Sequence, residues 1–146
     1  MRRVVMKKMI KISKEEDLIK SFEVMKELRT DLDLNSFLSL FGVMQKEGYE
    51  LYALLKDTSI KALAGVSIKT NFYNKRHLFV HDLVTTSSAR SSGYGYEMMN
   101  YLFQFAKEKE CSYIALESGL QRVDAHRFYE DKLNFDKFCY SFRKEL

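Results

Sequence analysis

Proline is absent from the 146-residue chain, although average usage of about 5% would give roughly seven. A proline-rich linker between domains is thereby excluded, and the length suits one ordinary domain with a real core, so a single domain over residues 1–146 is expected. Cysteine is nearly absent as well. Cys111 and Cys139 stand far apart without CxxC or zinc-ligand spacing, which argues against a disulfide framework and a cysteine-based metal site. Both are expected to be buried, reduced thiols. Long apolar runs are missing too: Lys7 and Lys8 interrupt the opening MRRVVMKKMIKI, leaving pieces too short for a signal-peptide core or a membrane span. A cytoplasmic location without membrane attachment is the expectation. There is no low-complexity segment and no internal repeat. The net charge is only +4, and the basic residues are mixed with acids instead of forming an aromatic-interleaved stripe, so nucleic acid is not an expected partner.

What is present is a soluble globular composition, 46% hydrophobic and 30% charged. Met6–Ile12 has the pattern of a short strand. Ser13 with Glu16 three residues on forms a capping box, opening a helix through Arg29 whose buried stripe is Leu18, Phe22 and Met25. Phe37, Leu40, Phe41 and Met44 recur at helical spacing in a second helix ending near Gly48. YELYALL, the turn KDTS and IKALAGVSIKT form an antiparallel hairpin, followed by the strand HLFVHDLV. A third helix reaches about Glu110, with Met99, Leu102, Phe103 and Ala106 on one face, and leads to the strand SYIALE in a βαβ unit. RVDAHRFYEDK is a last amphipathic helix with Asn134 as its left-handed terminator, and FDKFCYSFRKE alternates like a final strand. The order βααβββαβαβ predicts an α/β (α+β) fold, a mixed sheet with helices on its faces.

Between the fourth strand and the third helix lies TTSSARSSGYGYEMM, Thr85–Met99. RSSGYG offers backbone N–H groups, made accessible by two glycines, at the positive end of a helix dipole, an arrangement suited to phosphate. A Walker A loop needs Lys and Ser/Thr after its glycine, and Gly95 is followed by Tyr96 and Glu97. A dinucleotide fingerprint would place an acid where Glu117 stands, but Met98 replaces its third glycine, and eight residues, Thr85 to Ser92, separate Val84 from Gly93.

The chain resembles the GNAT superfamily of N-acetyltransferases over nearly its whole length. Arg90, Gly93 and Gly95 match the Gln/Arg-x-x-Gly-x-Gly/Ala pyrophosphate motif. DLVTTSSAR is similar to the family's approach to that motif, with Thr85 and Ser87 in place of the usual Val and Pro, and AHRFYEDKLNF resembles its later AxxxYxxxGF element with one extra residue. The resemblance implies a mixed, mostly antiparallel central sheet with helices on both faces. It implies acetyl-CoA as co-substrate and no metal, with the pyrophosphate held around Arg90, Ser91, Ser92, Gly93, Tyr94, Gly95 and Tyr96. The pantetheine arm would lie along the backbone of Leu83, Val84 and Thr85, in a slot made by splaying of the fourth and fifth strands.

Acetyl transfer needs an acceptor for the amine proton and a donor for the departing thiolate. By the resemblance Tyr129 is that donor, although its place four residues after Ala125 also suits simple packing. Where several small-amine acetyltransferases of the family carry Glu-Asp-Leu, this chain has His81-Asp82-Leu83. A histidine with an ordinary pKa near about 6.5 can take a proton at neutral pH, directly or through water. Strand alternation puts Asp82 on the other sheet face from His81, so its expected part is to orient the site or to satisfy a loop. His77 and His81 share a face but lie about 13 Å apart at roughly 3.3 Å per residue, too far to share a metal. Asp31 and Asp33, in the segment joining the first two helices, either attract a cationic amine at the acceptor pocket or cap the second helix. The partner expected is a small-molecule or peptide amine, with a homodimer left open. A non-catalytic coenzyme A-binding module, and less strongly a dinucleotide enzyme, are the alternatives.

Overall fold

The computed structural model describes residues 6–90 and 92–146. They fall into two compact units, the first running to Ala115 and the second from Leu116 to Leu146. The first unit opens with β1 (Lys7–Lys11), α1 (Glu15–Met25), α2 (Leu34–Lys46), β2 (Glu50–Lys56), β3 (Ser59–Asn71) and β4 (Lys75–Thr85). A 3₁₀ turn at Ser87–Ala89 leads into α3 (Tyr94–Glu108), and β5 (Tyr113–Leu116) follows. The strands lie in sequence order, β1-β2-β3-β4-β5, with the first three pairings antiparallel.

Local chemistry accounts for most boundaries. The β2–β3 hairpin closes on Lys56↔Ser59, with Asp57 in the left-handed region at φ 57° where a two-residue turn requires it. Gly48 ends α2 at φ 98°, and Asn134 takes φ 57° as anticipated. The capping box does not form: Lys14 precedes α1 without a side-chain cap, and Glu15, Glu16 and Asp17 sit instead in the first turn, where the helix dipole favours acids. α1 also stops at Met25, short of Arg29.

Strand alternation divides the core between two faces. Leu51, Ala53 and Leu63, all fully buried, face α1 and α2, where Phe22 stacks on Phe37 at 5.3 Å. Tyr52, one residue out of phase, turns to α3 and meets Tyr101 and Phe105 at 5.7 and 5.6 Å. Helices therefore cover both faces. Leu40, expected in the buried stripe of α2, is 47% exposed.

In the second unit, α4 (Val123–Arg127) continues as a π-helical turn, Phe128–Lys132. The expected final strand is not formed: residues 136–146 have no regular secondary structure, and Phe138, Tyr140 and Phe142 are exposed. Alternation is a property of the segment, whereas a strand also needs a partner edge. The thiols are free as expected but not buried, Cys111 being half-buried and Cys139 exposed. No helix among the described residues is long and apolar enough to cross a membrane.

Asp33 is the N-cap of α2 and accepts a hydrogen bond from the Ser36 backbone N–H at 2.7 Å. That bond holds its carboxyl below the usual range. Asp33→Ala should lower the melting temperature by a few degrees with coenzyme A affinity unchanged, as thermal unfolding and calorimetry would show. An unaltered melting temperature would mean the cap is dispensable.

Candidate active site

The sequence in β3 and β4 builds the site through an irregularity. Gly65 pairs with Asp82 and Val66 with Val80, so His81 is the extra residue of a β-bulge. Ser67 and Phe79 pair before the bulge, Leu63 and Val84 after it. The odd-numbered face of β4 before His81 thus becomes the even-numbered face afterwards. His81 and Asp82 project to the same side, contrary to the alternation expected from sequence, and both line one cavity against α1 and α2.

Asp82 is buried and fully engaged. Its Oδ1 accepts from Arg29 Nε at 2.9 Å, and Arg29 Nη2 lies 2.8 Å from the same oxygen. Its Oδ2 accepts from the Tyr49 hydroxyl at 2.6 Å. Arg29 Nη2 also donates to the His81 backbone carbonyl at 2.9 Å, fixing the bulge itself. Burial, and then the Asp82 charge, push the Tyr49 hydroxyl well above the usual tyrosine range, keeping it a donor. The Tyr49 ring reaches Asp82 by crossing Gly65, where an added Cβ would stand 1.7 Å from its oxygen. Tyr49 also lies 5.4 Å from the His81 ring, and Ser67 Oγ is 2.6 Å from His81 Nε2.

Arg29, Tyr49, Gly65 and Ser67 were not anticipated as site residues. Only Gly65 gave a signal, as a lone glycine in an otherwise apolar strand, a mark of close approach. Asp31 and Asp33 do not line the cavity.

Past the bulge, Leu83, Val84 and Thr85 pair with Ala64, Leu63 and Ala62 of β3. On the other flank, the Ser112 N–H bonds to the Arg76 carbonyl at 2.7 Å, so the four residues of β5 start near the beginning of β4 and fall short of Leu83. The loop that follows is tied down by Glu27, which accepts from the Ser87 N–H at 3.0 Å and lies 3.9 Å from Arg90. Ser91 lies outside the described residues. After Ser92, Gly93 precedes α3 at φ 83°, and among the described residues a Cβ there would meet nothing within 4 Å beyond its own chain neighbours. Gly93, the N-cap of α3, has no side chain to cap the helix, and the N–H groups of its first turn, around Tyr94, Gly95 and Tyr96, have no intrahelical acceptors. Glu97 would oppose an anion there, but Lys7 pairs with it at 2.7 Å. Tyr94 is buried and Tyr96 exposed. These features fit a pyrophosphate.

Tyr129, in the second unit, is buried in the π-helical turn between Phe128 and Phe135, with ring centroids at 5.5 and 5.8 Å. Burial raises its pKa, which keeps the hydroxyl protonated through the neutral range. Among the described residues no three His, Cys, Asp or Glu side chains cluster as a metal site.

The sequence model of the acetyltransferase (GNAT) family matches residues 13–135. The uncharacterized N-acetyltransferase YhdJ of Bacillus subtilis (strain 168) is 41% identical over 139 residues, covering 94% of this chain and 98% of that one. The chain therefore belongs to the GNAT acetyltransferase family. Among solved structures, the aminoglycoside N-acetyltransferase AAC(6')-Iy in complex with CoA aligns over 100% of this chain and 99% of its own, with a TM-score of 0.84 and 14% identity. A transcriptional regulator from Bacillus halodurans C-125 aligns over 97% and 100%, with a TM-score of 0.80 and 22% identity. At these identities the structural likeness establishes the fold. The dinucleotide-enzyme alternative does not suit a chain of this family.

The clash built into Gly65 gives a test. Gly65→Ala should cost about 1–3 kcal/mol of stability by driving Tyr49 from Asp82. In a Tyr49→Ala background most of that cost should vanish, a coupling of at least about 1 kcal/mol in a denaturant-based double-mutant cycle. Additive costs would mean that the contact does not constrain the site.

Proposed function

We propose that the chain is an N-acetyltransferase that moves the acetyl group of acetyl-CoA to a primary amine by direct attack in a ternary complex, residues 1–146 serving as one cytoplasmic acetyltransferase domain. The observation that carries this reading is the economy of β4. Within five residues the strand runs from His81, at the cavity, to Thr85, where the phosphate-suited loop begins. Family membership and the CoA complex of a structural relative support the same reading.

Acetyl-CoA supplies an activated thioester carbonyl. In this reading the N–H groups around Gly93, Tyr94 and Gly95 hold its pyrophosphate, with Arg90 beside them, and the backbone of Leu83–Thr85 holds its arm. His81 takes the proton lost by the attacking amine, directly or through water. When its Nε2 donates to Ser67 Oγ, Nδ1 is the basic nitrogen. Asp82 is a positioning residue, acting through Arg29 and Tyr49 on the backbone that carries His81. As nitrogen bonds to the carbonyl carbon and the carbon–sulfur bond breaks, Tyr129 gives its hydroxyl proton to the departing sulfur. Orientation of both reactants in one site supplies much of the rate.

The test is acetyl-CoA consumption across monoamines, polyamines, aminoglycosides and peptides. At least one acceptor should be turned over, and Tyr129→Phe should lower kcat by about 10²–10⁴ while changing acetyl-CoA binding little. Near-normal turnover in that variant would return Tyr129 to a packing role. Coenzyme A binding without turnover of any acceptor would favour a non-catalytic binding module.

A further inference from the structure

The chemistry of the cavity narrows the acceptor. We infer that it is a primary amine bearing a single positive charge on a compact apolar body, not a polycationic sugar or polyamine, an inference that rests on the acetyl-transfer reading above. The cavity measures about 270 Å³; away from β4 its lining is Met25, Leu32, Phe37, Leu40, Phe41 and Met44, with Arg29 and Tyr49 as the polar members. Arg29 and Asp82, the charged side chains of known sign in its lining, are paired with each other, and both Asp82 oxygens are already bonded. The wall therefore carries one positive and one negative charge that cancel. A polycation would have to bury further ammonium groups against Leu and Phe without carboxylates to meet them, which is strongly unfavourable.

The rim leads to the same conclusion. Leu40, 47% exposed, sets an apolar side chain at the cavity, and Val43 on the same helix is 55% exposed. Asp31 and Asp33, the acids that could have drawn in cations, lie outside the cavity lining. 2-Phenylethylamine, one ammonium on a compact apolar body, has the character of this lining. The amine of such a molecule would lie toward His81 and Tyr49, with its ring against α2.

Steady-state acetylation of 2-phenylethylamine, ethanolamine, spermidine and kanamycin, at one pH and saturating acetyl-CoA, tests the inference. 2-Phenylethylamine should exceed ethanolamine in kcat/KM by about 10–100-fold, as burial of its ring implies, and should exceed both polycations. Leu40→Asp, at a half-exposed position, should leave the circular dichroism spectrum unchanged, lower kcat/KM for 2-phenylethylamine about tenfold and raise it for spermidine. Turnover of spermidine, kanamycin or peptides in preference to 2-phenylethylamine would overturn the inference and leave the acetyl-transfer reading standing. An unchanged selectivity in Leu40→Asp would remove the ring from this cavity. Turnover of no acceptor at all would overturn both readings.

Discussion

The buried carboxylate of Asp82 is the constraint on which the site is built. A carboxylate taken out of water must find partners for both oxygens, and removal of either partner would leave a buried acceptor at a cost of about 1–3 kcal/mol. Arg29 comes from the segment after α1, Tyr49 from the residue just before β2, and Gly65 from β3 gives the tyrosine room to pass. One side chain thus ties both sides of the cavity to β4. The same arginine holds the His81 carbonyl, so the ion pair and the bulge support each other.

Much of this frame is legible in the sequence, because the elements depend on local chemistry. Helical spacing marks α2 and α3, Gly48 and Asn134 end their helices, and Gly93 begins α3 with a positive φ. The glycine loop stands out by its position between strand and helix, and the resemblance of Arg90, Gly93 and Gly95 to the family motif suggested pyrophosphate for it. The acceptor side could not. Arg29 and Asp82 are 53 positions apart and Tyr49 and Asp82 are 33, so no local pattern connects them. The alternation rule also failed at one point, His81, since a bulge shifts everything after it to the opposite face. The final strand failed for a related reason: the pattern of Phe138, Tyr140 and Phe142 suits a strand, yet pairing depends on an edge that the pattern does not specify.

The two halves of the site also differ in what they select. A loop of backbone N–H groups recognises phosphate wherever it occurs, and many acetyltransferases of different acceptor preference can share it. Neutralising Asp82 with Arg29 removes the charge that would favour polycations, and the walls that remain are apolar.

Everything proposed depends on the coenzyme lying at the β4–α3 loop, and calorimetric titration of coenzyme A into the unaltered chain and into Gly93→Val tests that most directly. A valine there loses the left-handed backbone and fills the open space beside the N–H groups. The account predicts binding to the unaltered chain and at least about tenfold weaker binding to Gly93→Val, with the circular dichroism spectrum preserved. Equal affinities in two folded proteins, or no binding to either, would contradict it.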